Sequence, residues 1–336
     1  MNDQDLLAIQ SEAMPDALAP FAELRDNRED ELLDKANVVG VGVGHKTKDG
    51  EDAGTEALVV MVSSKMPESM LTKSDMIPKT MNQRPTDVIE VGELFAGGAR
   101  SAPIEEVQPT DLEPFALRER VRPVRPGYSV GHLGVTAGTI GAGCYDLRPF
   151  PGKPPRYYIL SNNHVLANSN QARLGDPIVQ PGTVDGGTAP RDVIGSLSRF
   201  VPIFFDDRCN QVDAAIAQVP FHQLDRDIYW LGIPRSVGVP AQVGALLRKT
   251  GRTTDFTTGR VTAINSTVNV NFGGGNVARF CDQIVTTDMS AGGDSGSLVL
   301  DLENNPVGLL FAGSATATIL NPIITVQLRL GVRLFP

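Results

Sequence analysis

Ser290-Ala291-Gly292-Gly293-Asp294-Ser295-Gly296-Ser297-Leu298-Val299-Leu300 sets a serine in a glycine-rich turn directly before an apolar, strand-like run. Glycines on both sides let the backbone take positive φ and bend sharply, which exposes the Ser295 hydroxyl and points the N–H groups of Gly293 and Ser295 at one spot. Two donors aimed at one spot form an oxyanion hole. Preorganised toward the charge that develops in acyl transfer, each is worth roughly 3–4 kcal/mol in the transition state. A serine is a poor nucleophile at neutral pH, so this reading requires a base and a group that orients the base elsewhere in the chain.

The sequence offers four histidines. His45 lies in a Gly-Val segment, His132 follows Gly131, and His222 sits among polar residues after Pro220-Phe221. His164 closes the run Tyr157-Tyr158-Ile159-Leu160-Ser161-Asn162-Asn163-His164, a buried strand that leads into a turn and would hold an imidazole at a strand end. The acid candidate is Asp213, at the head of the small, apolar strand Ala214-Ala215-Ile216-Ala217. A carboxylate buried there is tolerable if it accepts the Nδ1 proton of a histidine, fixes its tautomer and stabilises the imidazolium. Asp206, Asp207, Asp225 and Asp227 sit in polar stretches and read as solvated charges.

The order along the chain is His164, Asp213, Ser295. With that order, Gly293-Asp294-Ser295-Gly296, the histidine strand at 161–165 and the aspartate strand at 212–216 resemble the trypsin-like serine proteases of the chymotrypsin fold, over roughly residues 127–336. In style the chain is similar to bacterial and plant members with a long N-terminal extension. The resemblance implies two six-stranded antiparallel β-barrels, at about 127–230 and 231–320, a C-terminal helix, and a substrate cleft between the barrels. It implies a serine endopeptidase acting on proteins or peptides, with Met289 and Gly313 in the primary specificity pocket and an apolar residue on the acyl side of the cut. Phe311 falls where many members carry a serine that supports the acid, Ala312 where they often carry tryptophan, and Val165 where animal enzymes carry a cysteine. The alternative is a protease-like fold that grips a peptide without cutting it. In zymogen members the acid at Asp294 pairs with a freed N-terminal amine, which here would arise near residues 127–130.

The rest of the chain agrees with a mainly β body. Thirty-four glycines and 24 prolines favour strands joined by many turns. The net charge of −9 argues against nucleic-acid and anionic-membrane partners. Cys144, Cys209 and Cys281 are odd in number and widely spaced, so neither a disulfide scaffold nor a zinc site is expected, and no cofactor or metal is implied. The N-terminus lacks a basic start and an apolar core like those of a signal peptide, and a cytoplasmic location is the expectation.

Residues 1–95 read as an amphipathic helical lead, to about residue 36, followed by a small α/β domain with strands near 38–43, 57–62 and 88–91 and a short helix within 67–78. Gly40-Val41-Gly42-Val43-Gly44 lacks the wider spacing of a nucleotide loop and reads as a strand. The proline-rich stretch 96–126, with Arg118, Arg120, Arg122 and Arg125, reads as an interdomain linker whose arginines are solvated or form a processing site. A regulatory role for the N-terminal part, released by linker cleavage or by a protein partner, is the last expectation.

Overall fold

The computed structural model describes residues 14–48, 51–97, 116–148 and 152–335; of the linker expected at 96–126, residues 98–115 lie outside them. The N-terminal helix, Ala19–Leu33, carries Pro20 in its first turn and buries Phe21, Leu24, Leu32 and Leu33. It packs on a hairpin of β1 (Val38–Lys48) and β2 (Glu51–Val62). A short 3₁₀ turn, Glu68–Met70, and the two-residue β3 (Thr80–Met81) lead to β4 (Arg84–Glu90), which lies parallel to β2. Strand β5 (Phe95–Ala96) then leaves this layer.

The first barrel is built from β6 (Ser129–His132), β7 (Gly138–Thr139), β8 (Ala142–Asp146), β9 (Tyr157–Ser161), β10 (Pro177–Val179), β11 (Val193–Phe200) and β12 (Ala215–Val219). Their order is β8-β9-β12-β11-β10-β6-β7. β7 and β8 are one strand broken at Ile140 and Gly141. Gly127 N–H bonds Ile140 O, Ile140 N–H bonds Tyr128 O and Gly141 N–H bonds Leu160 O, so the interrupted strand closes the circuit with six positions.

The second barrel has β13 (Leu246–Gly251), β14 (Asp255–Asn271), β15 (Val277–Thr287), β16 (Leu298–Leu300), β17 (Pro306–Gly313) and β18 (Ala317–Pro322). The order β13-β16-β17-β18-β15-β14 closes through antiparallel pairing of β13 with β14. The C-terminal helix Ile323–Leu330 ends at Gly331 in the left-handed region, and β19 (Val332–Leu334) returns to pair with β8 of the first barrel. This is the mainly β, chymotrypsin-like double barrel that the resemblance implies.

Strand β14 spans 17 residues, and its first half serves β13 while its second half serves β1. The N-terminal layer is therefore hydrogen-bonded into the second barrel's sheet. Glycines make the contact possible: a Cβ at Gly42 would stand 2.1 Å from Ser266 Oγ, and one at Gly44 2.4 Å from Thr262 O. The cores merge accordingly, with Phe21, Leu24, Val43 and Leu58 packed in one cluster with Leu247, Val261, Ile284 and Leu310. The arginines after residue 116 are likewise engaged. Arg120 meets Asp192 at 3.1 Å, Arg122 donates to Gln180 and Asp192 carbonyls, and Arg125 pairs with Asp227.

One sequence expectation is corrected here. Cys209 and Cys281 form a disulfide with Cα atoms 5.8 Å apart, while Cys144 is free and buried. A parallel bridge between Asn210 and Phe280 brings the flanking cysteines together, a tertiary contact that a spacing of 72 residues does not announce.

Candidate active site

His164 stands on a one-turn helix, Asn163–Leu166, at the end of β9. Side-chain amides fix that turn: Asn162 Nδ2 donates to Asp213 O at 2.7 Å, and Asn163 Nδ2 donates to Val201 O at 2.7 Å and Asn170 Oδ1 at 2.8 Å. The imidazole Nδ1 lies 2.5 Å from Asp213 Oδ2, and the His164 backbone N–H donates to Oδ1 at 3.1 Å. Asp213 is fully buried, so both carboxylate oxygens are occupied by the residue they orient. With the proton on Nδ1, Nε2 is the acceptor, and it is buried without a partner among the described residues.

The support that Phe311 lacks comes from elsewhere. The backbone N–H of Asp213 donates to Asn321 Oδ1. Asn321 therefore sits in β18 as a prop for Asp213, one residue before Pro322, which precedes the C-terminal helix.

The Ser295 turn has Gly293 at φ 102° and Gly296 at φ 95°, both in the region that favours glycine. A Cβ at Gly296 would stand 2.1 Å from Ser161 Oγ, so the turn presses directly on the histidine strand. Thr139 of the first barrel clamps it. Its N–H donates to Ser295 O at 2.7 Å and its hydroxyl to Gly293 O at 2.9 Å. With both carbonyls held on that side, the amides of Gly293 and Ser295 have no acceptor among the described residues, as an oxyanion hole requires. A Cβ at Gly138 would touch both Val165, next to His164, and the Ser295 carbonyl, which places the His164 and Ser295 segments together. The Ser295 hydroxyl, nearly fully buried, donates to Phe311 O at 3.4 Å and not to His164.

Asp294 carries the buried charge of the turn. Lys249 Nζ lies 3.2 Å from Asp294 Oδ2, and both side chains are fully buried. Thr254 Oγ1 at 2.6 Å and the N–H groups of Thr253 at 2.7 Å, Thr254 at 3.2 Å and Ala291 at 3.0 Å complete the shell. Burial pushes the Lys249 ammonium below its ordinary pKa, and Asp294 opposes that shift. The acid expected to await a freed N-terminal amine thus already has an internal cation.

Met289 is buried in the second-barrel core, where a Cβ added to Gly259 would reach its Sδ at 2.8 Å. Ser290 Oγ bonds Thr318 Oγ1 at 2.8 Å and stands 3.2 Å from where a Cβ on Gly313 would be. Beside Met289, Asp288 is raised above the usual carboxylate range, first by burial and then by Asp294. Phe272, at the β14–β15 turn, sets its ring edge-on to His164 with centroids 6.2 Å apart. Sequence reasoning missed Asn321, Lys249, Phe272 and the placement of β5. Of these only Lys249 left a signal, sharing the inward strand phase of Leu247 and Gly251.

No protein-family model matches the sequence, and a search of curated proteins finds no match. Solved structures of similar fold include Thermobifida fusca protease A, at 17% identity and TM-score 0.44 over 63% of this chain and 97% of that one. Cellulomonas bogoriensis chymotrypsin is similar at 18% identity and TM-score 0.43, over 63% and 98% of the two chains. Nocardiopsis protease is similar at 15% identity and TM-score 0.46, over 63% and 99%.

Proposed function

We propose that this protein is a serine endopeptidase. Ser295 attacks a peptide carbonyl, His164 Nε2 takes its proton and returns it to the leaving amine, and the Gly293 and Ser295 amides stabilise the tetrahedral oxyanion. Water then hydrolyses the acyl-enzyme, again with His164 as base. The observation that carries the reading is the buried Asp213 locked onto Nδ1 of an imidazole whose Nε2 is left without a partner, beside a serine turn with two free amides. The Ser295 hydroxyl must turn from Phe311 O toward Nε2, since hydrogen bonds of such a pair tighten only when substrate is bound. The close approach of Ser290 Oγ, 3.2 Å from where a Cβ on Gly313 would stand, together with the apolar Met289, favours a small, uncharged residue on the acyl side.

The second reading, a peptide-holding protein without turnover, is favoured by the Ser295 hydroxyl engaging Phe311 instead of His164. A small fluorophosphonate separates the two, since it reacts only with an activated serine. The expected outcome is labelling of the wild type and none of Ser295→Ala or His164→Ala. An unlabelled wild type, or equal labelling of Ser295→Ala, overturns the enzyme reading.

A further inference from the structure

Strand β5 ends beside the nucleophile. Its pairing with β17 is antiparallel, Ala96 opposite Ala312 and Phe95 opposite Gly313, and the next N–H, that of Gly97, donates to Phe311 O at 3.1 Å. Phe311 O is the same oxygen that receives the Ser295 hydroxyl at 3.4 Å. A peptide laid along the edge of β17 in this register therefore places the residue at position 97 next to Ser295. On its other side the segment is held by β14, where Asn271 N–H donates to Leu94 O at 2.9 Å and Asn271 pairs with Phe95. Val91 and Leu94, each 2% exposed, anchor it among Phe280, Phe311 and Ile319, and Ser314 Oγ bonds Val91 O.

We infer that residues 91–97 are a built-in inhibitor that fills the acyl-side half of the substrate cleft by strand addition. The inference rests on the protease reading above. The segment uses the hydrogen bonds an extended substrate would use. One feature separates it from a substrate: Gly97 has φ 85°. An extended residue on the same N–H has φ near −120° to −140°, so the Gly97 carbonyl carbon is rotated by roughly half a turn about N–Cα from where a continuing strand would put it. The N–H is offered to Phe311 while the carbonyl carbon is withheld from Ser295. Glycine is the residue that accepts this conformation without a Cβ clash. Because the occupant is part of the chain and its anchor is apolar, substrate must compete with it, and the apparent affinity falls by the fraction of molecules with the cleft empty.

Gly97→Pro tests this, since proline has no N–H for Phe311 O and cannot take φ 85°. The probe is N-acetyl-Leu-Phe-Ala-Gly p-nitroanilide, which copies residues 94–97, with fluorophosphonate labelling of Ser295 run in parallel. The expected result is a rise in kcat/KM of about tenfold or more in Gly97→Pro, reversed competitively by free acetyl-Leu-Phe-Ala-Gly. Equal kcat/KM in two proteins that both label overturns the inhibitor and leaves the protease reading standing. Cleavage of the wild-type chain after Gly97 also overturns it, because the segment would then be a substrate. The wild type gives an independent readout that does not depend on how the variant folds. Binding of acetyl-Leu-Phe-Ala-boroGly should speed hydrogen exchange at the amides of residues 95–97, and unchanged exchange in the saturated protein overturns the proposal. Failure of both fluorophosphonate and boronate to react with either protein removes the protease reading, and the inhibitor with it.

Discussion

In the first barrel, His164 and Asp213 are fixed by neutral amides: Asn162 and Asn163 tie down the histidine turn, and Asn321 reaches across from the second barrel to the Asp213 N–H. In the second barrel, Ser295 rides on a turn pinned by the buried ion pair of Lys249 and Asp294. A neutral hydrogen bond contributes about 0.5–1.5 kcal/mol net, whereas breaking a buried ion pair costs about 3–5 kcal/mol because a charge is left uncompensated. The half that holds His164 and Asp213 is therefore open to substitutions with modest cost to the fold. The serine half couples the Ser295 turn to global stability.

The largest expected effect is on chemistry in the first barrel. Asp213→Asn preserves shape but can present an amide N–H to Nδ1 and so favour the wrong tautomer; turnover should fall by about 10⁴, the size of the loss in the corresponding trypsin variant. Steady-state hydrolysis by the Gly97→Pro form measures it. A loss smaller than about tenfold would show that Asp213 is not the orienting acid.

Next comes the second barrel. Lys249→Met strands a buried carboxylate and should cost about 3–5 kcal/mol in denaturant unfolding. Adding Asp294→Asn should recover a substantial part of that loss, because the orphaned charge is gone. Equal costs for the single and double variants would mean that the hydroxyl and amide donors around Asp294 carry the turn without Lys249.

Asn321→Leu tests the prop that reaches from the second barrel to the Asp213 backbone. It leaves the Asp213 N–H buried without an acceptor, with an expected loss of about 1–3 kcal/mol, together with a fall in kcat at nearly constant KM as Asp213 shifts. A stability loss with unchanged kcat would make Asn321 a packing residue only.

What the sequence revealed and what it hid follow from the range of the contacts. The Ser295 turn is legible because its glycines are local demands of the backbone, and Gly293 and Gly296 do take positive φ. His164 and Asp213 are legible because each puts a polar side chain at the end of an apolar strand, and one hydrogen bond joins them. Asn321 is not legible because Asn-Pro before an apolar run is the local signature of a helix start, and only β18 pairing with β17 places it in a strand. The 40–44 glycines were readable as strand, but not as the close contact with β14 that merges the N-terminal layer with the barrel. β5 is two residues long and has no periodicity to read; its position is set by Val91 and Leu94 in a core assembled from distant strands.

The smallest effect concerns the carboxylates around each half, whose shifts run in opposite directions. Asp192, in the first barrel, is held well below the usual carboxylate range, chiefly by its hydrogen bond from Arg191 against the opposing effect of burial. Asp288, beside the serine half, is raised by burial and by Asp294. A raised carboxyl binds its proton more tightly in the folded state, so its contribution is present below the unfolded pKa of about 3.9 and is lost as pH rises through the folded value. Asp288→Asn removes that loss: the variant's melting temperature should gain on the wild type as pH rises from about 4 toward neutrality and then stay level. The gain should be small, since solvent screens a carboxyl that is not deeply buried. Asp192→Asn has the opposite sign. Its partnered carboxylate stabilises the wild type above the unfolded pKa, and the variant's deficit should shrink as the medium is acidified. Parallel pH profiles for the two variants would erase the electrostatic contrast between the barrels.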